Sequence, residues 1–268
     1  FVSELAVPAF DTFDLSSLKT GIMGGALCPI ETMRAVREKM NMTGVTIIYG
    51  MTETSPISFQ SNQGDPVEKL VTTVGRVQPH VEVKIIGKDG KILPVGRQGE
   101  ILTRGYSVMQ AYWNDPEKTA ETIDKDGWMH TGDIGVLDGD GFCSITGRIK
   151  DLIIRGGENI YPREIEDFLF AQDMVLEAQV FGIPDERLGE VVCAWIVPKS
   201  DEGFDLNALK AVCEAQLAHF KVPAHMIMKS SLPMTVTGKP QKFIMREEMM
   251  KELVKGNGTK ARRPSKTG

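Results

Sequence analysis

Five stretches of the sequence gather side chains that can do chemistry. "YGMTETS", Tyr49 to Ser55, closes a β-branched run with an aromatic ring, a glycine, hydroxyls and the carboxylate of Glu53. Polar groups at the carboxyl end of a buried strand can meet a ligand in an α/β crevice, or can cap the turn into a loop. "HTGDIG" sets Asp133 between glycines that permit close backbone approach, so its carboxylate can take both hydroxyls of a ribose or close a turn. His130 shows no partner in the sequence and reads as an ordinary polar residue rather than a base. "LDGDGF" begins like a calcium loop, but Phe142 stands where the next oxygen ligand belongs; it reads as a hairpin turn.

The two remaining stretches are richer in charge. "GRIKDLIIRGGENIYPREIE" carries Arg148, Lys150 and Asp151, a short apolar run, the pair Gly156 and Gly157, and then Pro162 opening a helix with Glu164 and Glu166. A linker leading into a capped helix explains it, and a functional role is compatible with that. "TVTGKPQKF" places Lys239 between Gly238 and Pro240, with Lys242 three residues on. Taken alone this is a polar turn displaying a lysine; the alternative is a cation delivered to a reaction.

The elements that must position these residues change character along the chain. In residues 1–71, "PIETMRAVREKM" has helical spacing, with Met33, Val36, Arg37 and Met40 on one face, and "GVTIIYG" suits a buried strand. Residues 72–148 turn to short strands: a hairpin with Asp89-Gly90 at its tip in "VEVKIIGKDGKILP", then "GEILTRG" and "GFCSITG", which predict a small β-barrel or sandwich. From 149 to 255 helices and strands alternate. "PREIEDFLFAQ", "LNALKAVCEAQLAHF" and "QKFIMREEMMKELVK" read as helices, and "EAQVFGI", "VVCAWIVP" and "HMIMK" as strands of a compact α+β domain. Residues 256–268, basic and rich in Gly, Ser and Pro, read as a frayed tail.

Composition narrows the class. The 268 residues are 41% hydrophobic and 25% charged, with net charge −5, which suits a globular protein and argues against one built to grip nucleic acid. Cys28, Cys143, Cys193 and Cys213 form no CxxC pair, so neither a zinc site nor a disulfide framework is expected and a reducing cytoplasm fits. No apolar run reaches the length of a membrane span, although peripheral membrane contact and the oligomeric state stay open.

"YGMTE", "HTGD", "GRIKDLIIRGGENIYPREIE" and "TGKPQK" stand in the order and spacing of the adenylate-forming acyl-CoA synthetases, and from about residue 20 to 250 the chain resembles them. The wording "GGENIYPREIE" is most similar to the medium- and long-chain fatty acid CoA ligases. The resemblance implies a fold: an α/β piece and small β-barrel from the large adenylating domain, over 1–148, followed by a mobile α+β carboxyl-terminal domain. It implies a two-step reaction, in which a fatty acid or related carboxylic acid attacks ATP to give an acyl-adenylate and coenzyme A then displaces AMP. By position, Gly24, Gly25 and Ala26 would flank adenine, Tyr49 and Gly50 would line the base, and Thr52 would reach the α-phosphate. Glu53 would hold Mg2+, Asp133 would bind the ribose hydroxyls, Arg148 would reach the ribose and phosphate side, and Lys239 would contact the reacting carboxylate and α-phosphate. Lys150 would be the hinge on which the second domain turns, and Gly156 and Gly157 would line the CoA channel.

One departure matters. The family's earlier Ser/Thr/Gly-rich lysine loop, which holds the outer phosphates, has no counterpart here, and neither does a GxxxxGK[ST] loop. The sequence therefore reads as the carboxyl-terminal part of such an enzyme, expected to be inactive by itself. A non-catalytic isolated domain, or a ligase loading a carrier protein, are the alternatives.

Overall fold

The computed structural model describes residues 1–25, 28, 30–236 and 238–260, the side chains of 254–260 excepted. The chain divides into two compact units, Phe1–Lys150 and Asp151–Gly268.

The first unit opens with the short helix α1 (Val2–Leu5), then β1 (Thr20–Met23), α2 (Ile30–Lys39), β2 (Gly44–Tyr49), β3 (Phe59–Gln60), α3 (Val67–Thr72) and β4 (Arg76–Val77). Strands β1 and β2 are parallel, and β3 and β4 continue the sheet antiparallel, in the order β1-β2-β3-β4. Helix α2 is amphipathic as its spacing predicts: Met33, Val36 and Met40 are buried with Met23, Val45 and Ile47 of the sheet. Glu31 in its first turn and Arg37 and Lys39 in its last suit the helix dipole, and Asn41 at φ 55° ends it in the left-handed region.

Strands β5 (Val81–Ile86), β6 (Gly99–Gly105), β7 (Met129–Leu137) and β8 (Cys143–Arg148) follow, with α4 (Pro116–Thr122) between β6 and β7. They form an open antiparallel meander rather than the barrel expected over 72–148. Four strands make a ribbon too narrow to close around side chains, for which about eight are needed. The ribbon instead buries Ile85, Ile101 and Cys143 against Phe59 of β3. The "LDGDGF" segment is the β7–β8 turn: the Asp138 carboxylate accepts the N–H groups of Asp140 and Phe142, each at 2.9 Å.

The second unit contains β9 (Ile153–Arg155), β10 (Glu158–Ile160), α5 (Pro162–Phe170), β11 (Val175–Asp185), β12 (Gly189–Pro198), α6 (Leu206–Gln216), β13 (His225–Met228) and α7 (Lys242–Lys260). Strand β12 is central, with β11 on one side and β9 and β13 on the other. Its alternation serves two cores. Val192, Ala194 and Ile196 pack with α5 and α6, whereas Cys193, Trp195 and Val197 pack with Met245 and Met249 of α7. A strand covered on both faces reads as an unbroken apolar run, which is what "VVCAWIV" is. Helix α7 extends to Lys260, past residue 255, where the sequence places the end of the domain; residues 261–268 lie outside the described part. Among the described residues no helix is long and apolar enough to cross a membrane.

Candidate functional site

The carboxyl ends of β1 and β2 lie side by side because the strands are parallel. Gly24 follows β1 at a close approach: a Cβ there would stand 2.5 Å from Cγ1 and 2.7 Å from the carbonyl oxygen of Ile48. Gly25 adopts φ 81°. Ala26, the third residue expected here, lies outside the described residues. On β2, Tyr49 packs its ring on Phe59 at 5.9 Å between centroids, and Gly50 leaves no room for a side chain, since a Cβ would meet the Pro56 carbonyl oxygen at 1.9 Å. The chain then enters a 3-10 turn, Thr52–Thr54, where the buried Thr54 hydroxyl accepts from Met51 N–H at 3.1 Å and donates to Met51 C=O at 3.0 Å. Thr52 is left exposed on that turn.

Asp133 reaches the same place from the meander. Along β6 and β7, Glu100 faces Ile134 and Leu102 faces His130, so Thr131, Gly132 and Asp133 together oppose Ile101 alone. This is a bulge, with Gly132 at φ 70°. The Thr131 hydroxyl stabilises it, donating to Ile101 C=O at 2.7 Å and accepting Asp133 N–H at 3.1 Å. The bulge re-aims Asp133, which is buried; the Tyr49 hydroxyl donates to its Oδ2 at 2.7 Å and Arg148 Nε to its Oδ1 at 2.8 Å. Burial, and then the Asp133 charge and hydrogen bond, push the Tyr49 hydroxyl pKa far up, so it remains a donor. The Tyr49 hydroxyl and Arg148 Nε thus engage this buried carboxylate, one on each oxygen.

Two partners escaped the sequence reading. Glu100 accepts Gly132 N–H at 3.3 Å on one oxygen and lies 3.2 Å from His130 Nδ1 on the other, so His130 does have a partner. Tyr112 donates its hydroxyl to Glu53 Oε1 at 2.8 Å, and Met109 N–H donates to the Glu53 carbonyl at 2.8 Å. Burial, then Glu53, raise the Tyr112 hydroxyl pKa. Neither contact has a sequence signal, because the partners are 30 and 59 residues apart.

The other predicted residues belong to the chain from Lys150 onward. Lys150 is exposed on a 3-10 turn, Ile149–Asp151, at the boundary of the units. Gly156 and Gly157, at φ 58° and 90°, are the two-residue turn of the β9–β10 hairpin, a type I′ geometry that glycine adopts readily. Lys239 stands exposed on a tight turn. Its N–H donates to the Thr235 hydroxyl at 2.9 Å, its carbonyl accepts Thr235 N–H at 2.8 Å, and Gly238 takes φ 77°.

Residues 2–113 match a family model described as AMP-binding enzyme, and residues 164–239 match the AMP-binding enzyme C-terminal domain. The chain belongs to the AMP-binding, adenylate-forming enzyme family. The first match contains Gly24, Gly25, Tyr49, Gly50, Thr52 and Glu53, and the second ends on Lys239. YngI of Bacillus subtilis (strain 168) is 49% identical over 250 residues, covering 92% of this chain and 45% of its own length. Medium-chain acyl-CoA ligase ACSF2, mitochondrial, of Mus musculus is 44% identical over 254 residues, covering 94% of this chain and 41% of its own. The crystal structure of ATP-bound MatB from Rhodopseudomonas palustris superposes with a TM-score of 0.81 at 34% identity, covering 90% of this chain and 49% of that one. The chain thus spans less than half the length of these relatives.

The residues present fit a magnesium ion of the kind such a family implies. The hydrogen bond from Tyr112 engages one Glu53 oxygen and leaves the other open. Among the described residues no group of three or more His, Cys, Asp or Glu could cage a metal. A single carboxylate, completed by substrate phosphates and water, is how magnesium is commonly held.

Proposed function

We propose that this chain supplies the nucleotide pocket and the transfer lysine of an ATP-dependent, AMP-forming acid–thiol ligase acting on a fatty acid. The observation that carries this reading is the Asp133 carboxylate, held by Tyr49 and Arg148 beside the glycine-lined ends of two parallel strands. A buried carboxylate, which accepts on both oxygens, suits the two hydroxyls of ribose, and the Tyr49 ring suits stacking on adenine. Thr52, exposed on its turn, is a donor for the α-phosphate. Glu53 would hold magnesium, which when bound offsets phosphate charge.

The chemistry has two balanced steps. A carboxylate oxygen of the acid bonds to the α-phosphorus while the bond to pyrophosphate breaks. The thiolate of coenzyme A then bonds to the acyl carbon while AMP leaves with the electron pair. Lys239, a compact ammonium at a loop tip, stabilises charge growing in the first step. Lys150 would be the hinge, and the Gly156–Gly157 turn, without side chains, the floor of the thiol channel. The mouse relative's name, a medium-chain acyl-CoA ligase, supports the substrate class. Free thiols at Cys143, Cys193 and Cys213 suit a reducing compartment such as the cytoplasm.

In a protein carrying this sequence, Lys239→Ala should lower acyl-adenylate formation by about a hundredfold or more and leave thioester formation from supplied adenylate unchanged. Fast adenylate formation by the variant overturns the assignment. A second reading rests on the missing phosphate loop: the 268 residues alone bind nucleotide without turnover. Incubation with ATP, magnesium, fatty acid and coenzyme A tests it, and thioester release by the chain alone would refute it.

A further inference from the structure

We propose that Glu166 and Lys242 form a buried strut that sets the position of the Lys239 turn, making both of them positioning residues. Glu166 sits on α5, only 5% exposed. Its Oε1 accepts Val180 N–H from β11 at 2.9 Å and the Lys242 ammonium at 2.6 Å. Lys242 is the first residue of α7, and its side chain is 20% exposed. One carboxylate oxygen thus joins a helix, the outer edge of a strand and the start of a second helix.

The placement of Lys242 runs against helix preference. A cation in the first turn opposes the helix dipole, and α7 carries no acidic residue there to offset it. The offset comes from Glu166, whose negative charge suits both the ammonium and the helix N-terminus. Removing either partner strands the other charge in the interior, so the pair holds the start of α7 at one place.

That place is the base of the Lys239 turn. Gln241, next to Lys242, donates its N–H to Pro233 C=O at 2.9 Å, and Met234 bridges Pro240. From this closed base the chain reaches Lys239 within two residues. The turn's own bonds shape its tip; Leu232 before it and Met245 after it are buried in the core, and the Glu166–Lys242 contact ties the base between them. Without it the base is held less firmly and the turn's own bonds open more often.

Amide hydrogen exchange reads the strut without turnover. In Lys242→Met, which keeps the aliphatic stem, exchange at Gly238, Lys239 and Gln241 should rise about tenfold, with β11 and β12 amides unchanged. Lys229→Met, which removes an ion pair to Glu252 elsewhere on α7, should leave the turn protected. If Lys242→Met fails to fold, the double variant Glu166→Gln, Lys242→Met removes both charges together and should loosen the turn alike. Unchanged protection of the turn, or equal acceleration across the β11–β12 core, overturns the proposal. The value of a fixed turn rests on the function proposed above, and a half-reaction assay separates the two ideas. A loosened turn with slower adenylate formation and unchanged thioester formation supports both. A loosened turn with normal adenylate formation leaves the strut standing and removes the role given to Lys239.

Discussion

The Tyr49 hydroxyl and the Asp133 carboxylate meet at 2.7 Å although 84 residues separate them, joining the end of a parallel strand to the bulge of an antiparallel one. Tyr49→Phe removes the donor but keeps the ring. It should cost about 1–2 kcal/mol in stability, because a buried carboxylate loses a charge-assisted bond. Calorimetry reads that cost, and ATP titration should show weaker binding. Asp133→Asn should weaken ATP binding more than Tyr49→Phe does, since it turns one acceptor oxygen of the proposed ribose site into a donor and removes its charge.

Glu53→Gln retains an oxygen for the Tyr112 hydroxyl and discards the charge. The fold should therefore tolerate it, with an unchanged melting midpoint, while the magnesium concentration for half-maximal activity rises about tenfold. A parallel loss of stability would mean that the carboxylate serves Tyr112 rather than a cation.

The glycine pair at the β9–β10 turn has two explanations that one variant separates. Gly156→Asn creates the Asn-Gly turn favoured for type I′ geometry, so folding should be unaffected. If the turn also floors the thiol channel, the added side chain should slow thioester formation and spare adenylate formation. Normal rates in both steps would leave the glycines as turn residues only.

His225 on β13 has a pKa below its ordinary 6.5, first because burial disfavours the cation and then because Lys210 repels it, with Asp185 opposing. Above 6.5 the ring is neutral whether the chain is folded or not; below it, the unfolded chain takes up a proton that the folded one resists. Stability should fall as pH drops through and below that value. In urea titrations from about pH 7.5 to 5, His225→Asn should show a smaller acid-side loss than the parent chain.

Strands with a one-sided or continuous apolar signal were legible in the sequence. "GVTIIYG" is β2, "GEILTRG" is β6, and "VVCAWIV" lies within β12. Helix α2 followed from the spacing of Met33, Val36 and Met40. What stayed hidden depends on pairing between distant segments. The "HTGD" stretch shows a glycine and a carboxylate, but only its register against β6 reveals three residues facing one. The "RGGEN" stretch reads as passage between domains, whereas Arg155 pairs with Glu158 to close a hairpin. A barrel or sandwich is expected over 72–148 because local strand signals count strands without saying whether the first meets the last. Glu100 lies in the legible strand "GEILTRG" but its partners do not show there, and Tyr112, which holds Glu53, lies in a segment with no signal of its own.

Strand β11 runs along the rim of its sheet, and its central residues are almost wholly apolar and buried. Such a rim, if bare, is a template on which strands from other molecules assemble. Glu166 occupies the Val180 N–H on that side, so one donor of the rim is already taken. Loss of Glu166 would then be felt first in the soup of newly made chains, as precipitation at high concentration, before any assay of the finished protein registered it.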